Sequence, residues 1–178
     1  NVKLISYMEW YFTIENSGAI FENPQLDDHL RLQTRNLPLL QEMVAADEIV
    51  CPTKWQSRQF PEMFRDKIKV IFDGVNGDFF KPEVPAVPLL LHGEVQPEPL
   101  QFGSNDLLLT YGTRGMEPLR GFPEFMRAAA VAQNKYPELQ VVVFGRDRSA
   151  YSYQCKQFKG SWKAALLDEL ADQLDPQR

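Results

Sequence analysis

The sequence predicts an α/β protein in which parallel sheets are flanked by helices, and three observations lead to this fold class. Strand-like and helix-like segments alternate along most of the 178 residues. The strand-like runs are almost continuously apolar, as parallel strands buried on both faces are. The alternation pauses in residues 82–105, which contain five prolines and show no clear period. We therefore expect two α/β units joined by a proline-rich linker.

Before the linker, the expected order is strand, helix, strand, helix and strand. Residues 3–12 read as a strand because β-branched and aromatic residues dominate and no turn residue interrupts them. In the next segment, apolar residues recur near the helical period at Leu26, Leu30, Leu37, Leu40 and Val44. Pro38 either kinks one helix or begins a second helix capped by Asn36. One helix and two helical pieces both fit this pattern.

Three further signals complete this half of the chain. EIVCPT, residues 48–53, is a short buried strand by its length. Thr53 is suited to cap the helix that follows, and Pro61 would interrupt that helix. The last strand, KIKVIFDG, ends in the turn-rich run DGVNGDFFKP, where Gly74 is a turn former.

After the linker, the pattern predicts a strand at 106–112, a helix at 122–135 and a strand at 139–145. A final helix follows Ser161, which is suited to cap it, and repeats an apolar residue every four positions up to Leu174. The stripe that the first of these helices should present to the core consists of Phe122, Phe125, Met126, Ala129 and Ala132.

Composition limits the function. The content of 44% apolar and 24% charged residues is typical of a folded globular chain, and the net charge of −5 argues against a general nucleic-acid or anionic-membrane binder. Cys51 and Cys155 lie far apart without CxxC spacing, and His29 and His92 lie in separate segments, so neither a zinc site nor a disulfide framework is indicated. No apolar run approaches the roughly 18 residues of a membrane span, and we expect a cytoplasmic protein.

The run YGTRGMEPLRGF, residues 111–122, joins a predicted strand to a predicted helix and points to phosphate. Such a turn carries unpaired main-chain N–H groups and the positive end of a helix dipole, and both favour an anion. Gly112 and Gly115 permit close approach of the main chain, and the guanidinium groups of Arg114 and Arg120 are suited to phosphate oxygens. The alternative is a solvated loop, or one in which the arginines form ion pairs with a nearby acid, Glu117.

A second group of polar residues follows the next strand. Gly145 and Arg146 end that strand and could form a second wall of the same site, because ligands of open α/β sheets bind outside the carboxyl ends of the strands. Asp147 and Arg148 come next, and for them a contact with a donor molecule and a surface ion pair are equally compatible with the sequence.

Two segments also carry a family resemblance. TYGTRGMEPLRGFPEFMRAAAVAQNKYPELQVVVFGRDRSAY, residues 110–151, resembles the start of the donor-binding domain of the retaining, group 1 (family 4) glycosyltransferases. In that family a strand ends in Gly-Arg, a Lys-Gly or Arg-Gly pair opens the next helix, and the following strand closes on glycine. CPTKWQSRQFPEMFRDKIKVIFDGVNGDFFKP is similar to the end of the family's first domain. The resemblance covers residues 44–82 and 106–151, about half of the chain.

The resemblance implies a GT-B architecture of two Rossmann-like domains that face a cleft. Residues 1–81 would be the C-terminal part of the acceptor domain, 82–105 the linker and 106–178 the first part of the domain that binds the nucleotide-sugar donor. Carried over by position, Arg114 and Arg120 would hold the donor diphosphate in place of a metal. The resemblance therefore implies neither a metal nor another cofactor. The substrate that it implies is a nucleoside diphosphate sugar.

Departures from the family pattern bear on these expectations. Six positions separate the two arginines where five is usual, and the family's two glutamates separated by seven residues are absent. Its N-domain histidine has no counterpart, since neither His29 nor His92 has the matching context. We therefore expect an internal fragment, and no catalytic residue is assigned. The complete parent protein would transfer a sugar, with retention, to a carbohydrate or lipid-linked acceptor. We expect no nucleic-acid partner, and this part of the sequence does not indicate membrane association.

Two other classes of function stay open. One is a non-catalytic Rossmann-like interaction module that binds a partner through the proline-rich segment. The other is a different phosphate-handling α/β sugar enzyme, although no dinucleotide-binding fingerprint is visible. Two weaker candidates for functional residues are Glu9, which lies at a strand end, and His29, which lies beside acidic residues at a helix start. Trp10, Trp55 and Trp162 are interpreted as core or surface anchors, with a sugar-stacking role as the alternative.

Overall fold

The computed structural model describes residues 2–81, 89–91, 100–103 and 105–178. The chain divides into two compact units, Asn1–Lys81 and Pro82–Arg178. Both contain parallel strands with helices packed against them, so the predicted α/β, Rossmann-like fold class is confirmed. The assignment of the two units to acceptor and donor domains stays a prediction.

The first unit is built on a parallel sheet of three strands in the order β1-β2-β3. β1 is Ile5–Tyr7, β2 is Glu48–Cys51 and β3 is Ile68–Val70. Ile49 in the central strand lies opposite Ser6 on one side and Ile68 on the other. Its side chain is fully buried, so the core of the unit lies at the middle strand.

β1 is shorter than the strand predicted for residues 3–12, and Asn36 explains why. The side-chain oxygen of Asn36 accepts a hydrogen bond from the main-chain N–H of Phe12 at 2.9 Å, and its amide nitrogen donates to the carbonyl of the same residue at 2.8 Å. The Met8 N–H still donates to the Val50 carbonyl at 2.9 Å, and further along, the chain is held at Phe12 against the helix that carries Asn36. Asn36 is buried and caps no helix.

A 3-10 turn at Gly18–Glu22 and one α-helix, α1 (Leu26–Ala45), lie between β1 and β2, and Pro38 lies inside α1. Its start is a capping box, in which the Asp28 carboxylate accepts from the Gln25 N–H at 2.9 Å. At its other end, Lys67 Nζ donates to three carbonyls, with distances of 3.3 Å to Met43, 3.4 Å to Val44 and 2.8 Å to Ala46. Both ends are stabilised, and the interior proline does not divide the helix.

The apolar stripe that predicted this helix is mostly exposed. Leu26, Leu30, Leu37 and Val44 are between 50% and 71% exposed, whereas the buried positions are Leu32, Asn36 and Met43. α2 (Lys54–Ser57) and a 3-10 turn at Glu62–Lys67 lie between β2 and β3, and Thr53 caps α2 by accepting from the Gln56 N–H at 3.1 Å. The predicted cap is confirmed, whereas the helix ends at Ser57, before Pro61, and Pro61 precedes the 3-10 turn.

The second unit begins with an antiparallel pair that the composition did not predict. β4 (Leu89–Leu91) pairs with β5 (Leu100–Phe102) inside the segment expected to be a plain linker. Residues 82–88, 92–99 and 104 of that segment, with His92 among them, lie outside the described residues.

The rest of the second unit follows the predicted order. β6 (Leu108–Thr113) pairs in parallel with β7 (Gln140–Gly145), and α3 (Phe122–Lys135) connects them with the predicted bounds. α4 (Trp162–Glu169) is capped by Ser161, whose hydroxyl accepts from the Ala164 N–H at 2.9 Å. α4 ends at Glu169, before Leu174, the last residue of the apolar repeat that predicted the helix. Leu174 nevertheless lies in the core of the unit. The buried core residues are Met116, Phe122, Met126, Ala129, Ala130, Leu166, Leu170 and Leu174.

Candidate phosphate-binding site

The candidate site lies where the carboxyl ends of β6 and β7 meet. The two strands are parallel and paired up to Thr113 opposite Gly145, so the residues after these positions emerge side by side. A cleft of about 470 Å³ opens there, lined by Thr113, Arg114, Gly145, Arg146 and Arg148. Three arginines from two loops therefore line one cleft.

Glycines allow the two loops to approach each other closely. A Cβ at Gly145 would lie 2.0 Å from the carbonyl oxygen of Thr113, and Gly145 has a φ of +144°. A Cβ at Gly115 would lie 2.8 Å from the carbonyl oxygen of Arg148, and one at Gly112 would lie 2.4 Å from the Phe144 ring. The contacts that these glycines permit are thus made within the protein. A contact of Gly112 or Gly115 with a donor stays a prediction.

Arg114 and Arg120 share one aromatic partner, Tyr151. The guanidinium carbon of Arg114 lies 5.0 Å from the centre of the Tyr151 ring, and that of Arg120 lies 4.9 Å from it. Arg114 Nη2 also donates a hydrogen bond to the Tyr151 hydroxyl. Arg120 is not one of the residues that line the cleft. The two predicted arginines therefore meet at Tyr151, and Arg114 alone of the two faces the cavity.

Glu117, between the two arginines, is fully buried. Its Oε2 accepts hydrogen bonds from three successive main-chain N–H groups, those of Ala150 and Tyr151 at 2.8 Å and that of Ser152 at 2.7 Å. Its Oε1 makes no hydrogen bond, and Arg120 Nε lies 4.0 Å from it. The carboxylate is therefore satisfied chiefly by the loop after β7, and its ion pair with Arg120 is long.

The arginines that line the cleft have no acidic partner. Across the described ranges, the side chains of Arg114, Arg146 and Arg148 form no ion pair. The Asp147 carboxylate accepts a hydrogen bond from Ser161 Oγ at 2.7 Å, at the start of α4, and among the described residues it forms no ion pair with these arginines. The cleft is therefore positively charged, although the chain as a whole carries a net charge of −5.

The main-chain N–H groups of the turn are already used within the protein. That of Met116 donates to the Arg146 carbonyl at 3.1 Å, that of Leu119 to Ser152 Oγ at 3.0 Å, and that of Phe122 to the Glu117 carbonyl at 3.3 Å. The expectation of unpaired N–H groups there is wrong for these residues. An anion in the cleft would be held mainly by guanidinium groups.

A separate polar cluster lies at the carboxyl edge of the first unit's sheet. The Tyr7 hydroxyl donates to Asp73 Oδ1 at 2.7 Å, and Glu9 Oε1 lies 3.4 Å from the same hydroxyl. The hydrogen bond to the Asp73 carboxylate raises the pKa of Tyr7 to about 12. Glu9 was a candidate from the sequence, whereas Tyr7 and Asp73 carried no signal because they come together only through pairing of β1 and β3 with β2.

The structure gives the remaining sequence candidates roles in capping, packing or turns. Asp28 belongs to the capping box of α1, so the acidic group around His29 is a helix start. The Trp10 and Trp55 rings lie 5.7 Å apart, and Trp162 packs against the core of the second unit. Gly74 has a φ of +82°, as a turn former does.

The described residues contain no cluster of three or more histidine, cysteine or acidic side chains arranged to hold a metal ion. Nor does any helix among them combine the length and apolar character that crossing a membrane requires.

Comparison with known families gives one match. Residues 1–80 match the model of a family described as glycosyl transferase family 4 group. The match lies in the first unit, whereas the arginine-lined cleft lies in the second. No curated protein and no solved structure matches the chain. The family match supports a glycosyltransferase of the family 4 type.

Proposed function

We propose that the chain is part of a retaining glycosyltransferase and that its second unit binds the diphosphate of a nucleoside diphosphate sugar. The observation that carries this proposal is the cleft at the ends of β6 and β7, where Arg114, Arg146 and Arg148 form no ion pair with any residue that the structure describes. The match of residues 1–80 to a glycosyltransferase family supports the same class of reaction.

The chemistry of the cleft suits a departing nucleoside diphosphate. Breaking the bond between the sugar and the diphosphate leaves negative charge on the phosphate oxygens, and fixed positive groups lower the barrier by stabilising that charge. A guanidinium group stays protonated at any working pH and offers paired N–H donors that match phosphate oxygens. Arg114 and Arg146 would hold the diphosphate from two sides, because they emerge from adjacent strands.

The first unit would then contribute the acceptor side of a GT-B arrangement. Its sheet presents Tyr7, Glu9 and Asp73 at the carboxyl edge, the edge at which open α/β sheets bind ligands. Hydroxyl and carboxylate groups of this kind are suited to sugar hydroxyls. Transfer with retention and a carbohydrate or lipid-linked acceptor are parts of the proposal that rest on the resemblance alone.

Calorimetric titration of the chain with UDP, GDP and ADP tests the donor site. We expect one of the three to bind, and the Arg114→Ala/Arg146→Ala variant to bind it at least about a hundredfold more weakly, because each charge-assisted pair contributes on the order of tenfold or more. Arg58→Ala is a matched control, since Arg58 is an exposed arginine of the first unit. Equal affinity of the double variant and the control would rule out this site.

A further inference from the structure

We propose that Glu117 and Tyr151 form a clip that sets the position of Arg114, the arginine of the turn that lines the cleft, for a diphosphate ligand. This inference rests on the proposed function and adds two positioning residues to it. Neither was assigned a role in binding by the sequence. The clip acts through the loop that follows β7.

The first step is the attachment of the loop. Three consecutive N–H groups, from Ala150 to Ser152, converge on Glu117 Oε2. Successive N–H groups that point to one side form a concave binding site for an anion, and here the anion is the protein's own carboxylate. The Leu119 N–H adds a fourth bond by donating to Ser152 Oγ at 3.0 Å. The loop is thereby fastened to the turn that carries both arginines.

The second step is the position of the ring. Because its own N–H is one of the three bound to Glu117, Tyr151 is fixed at the main chain. Its ring then lies about 5 Å from the guanidinium carbons of Arg114 and Arg120. A free arginine side chain samples many rotamers, and ordering it opposes binding. Because the arginine side chains already pack on the ring, much of their ordering takes place before the ligand binds.

The third step concerns charge. A carboxylate beside each arginine would order it too, but would also neutralise it. An aromatic ring attracts a cation through its quadrupole and leaves the net charge unchanged. The negative charge of Glu117 is taken up by main-chain N–H groups, and its nearest arginine atom is Arg120 Nε at 4.0 Å. The Arg114 guanidinium group thus stays available to an anion in the cleft while being held by an uncharged partner.

Titration of the chain with inorganic pyrophosphate, followed by UDP, GDP and ADP, tests the clip. Tyr151→Leu removes the ring at a side chain that is 46% exposed, so we expect the fold to be retained. We predict that pyrophosphate binds Tyr151→Leu about tenfold more weakly than wild type, because the Arg114 side chain must then be ordered by the ligand. Tyr151→Phe keeps the ring and should restore most of the affinity.

Two controls separate a positioning role from a structural one. Tyr136→Leu removes a tyrosine of similar exposure, 42%, which lies beside Lys135 and not beside the cleft, and it should bind as wild type does. In an Arg114→Ala/Arg120→Ala background, Tyr151→Leu should cause no further loss, because the ring acts only through the two arginines.

The outcomes distinguish the clip from the function on which it rests. If wild type binds one of the probes and Tyr151→Leu binds it equally well, the clip is refuted and the donor site stands. An equal loss in Tyr151→Leu and Tyr136→Leu, or a further loss in the double-arginine background, would also refute the clip. If wild type binds neither pyrophosphate nor any of the nucleotides, the proposed function and the clip are both overturned.

Discussion

Replacing Glu117 by alanine should destabilise the second unit. The substitution leaves the N–H groups of Ala150, Tyr151 and Ser152 without their acceptor. Three charge-assisted hydrogen bonds contribute roughly 1.5–3 kcal/mol each, offset by several kcal/mol for holding a fully buried carboxylate out of water. The expected net loss in the free energy of unfolding is about 3 kcal/mol.

Urea denaturation with peptide-resolved hydrogen exchange is suited to measure this loss. The exchange of residues 145–155 should quicken together, since they are fastened through one carboxylate. Glu124→Ala is the matched control, because it removes an exposed glutamate from the first turn of α3. The interaction of that carboxylate with the helix dipole stabilises the fold by at most about 1 kcal/mol. If Glu117→Ala costs no more than Glu124→Ala, the reasoning about the buried carboxylate is wrong.

Three further predictions concern stability and titration. Lys67→Met should lower the free energy of unfolding by about 1–2 kcal/mol in urea denaturation, since the last carbonyls of α1 lose their cap; an unchanged midpoint would contradict it. Gly145→Ala should cost about 2–3 kcal/mol in the same assay, because the new Cβ would meet the Thr113 carbonyl at a φ of +144°; a wild-type midpoint would mean that the strands can separate there freely. In Asp73→Asn, the pKa of Tyr7 should fall from about 12 towards its ordinary value of about 10, as followed by NMR of the ring. The raised pKa means that any stability from this bond is present below pH ~10 and lost as the pH rises through the folded-state pKa; no change in Asp73→Asn would exclude Asp73 as the cause.

Local signals in the sequence were sufficient for the elements around the site. α3 has the predicted bounds because a glycine precedes it, Pro123 is tolerated in its first turn, and its apolar stripe continues to residue 135. Thr53 and Ser161 cap helices as predicted, since a hydroxyl at that position needs only an N–H three residues ahead. These outcomes depend on neighbours along the chain.

Non-local contacts account for what the sequence did not predict. β1 ends early because Asn36, 24 residues away, binds the main chain of Phe12. The exposed stripe of α1 has the helical period, yet periodicity does not say which face packs on the sheet. Glu117 was recognised only as a possible ion-pair partner of the arginines, because its three main-chain donors follow 33 to 35 residues later in a loop without a regular pattern.

The most direct test of the donor site is a crystal structure of the chain with the nucleoside diphosphate that binds it. We predict that the diphosphate oxygens lie within hydrogen-bonding distance of Arg114 and Arg146, at the ends of β6 and β7. A nucleotide bound elsewhere on the chain, with these guanidinium groups still facing solvent, would contradict the proposed function.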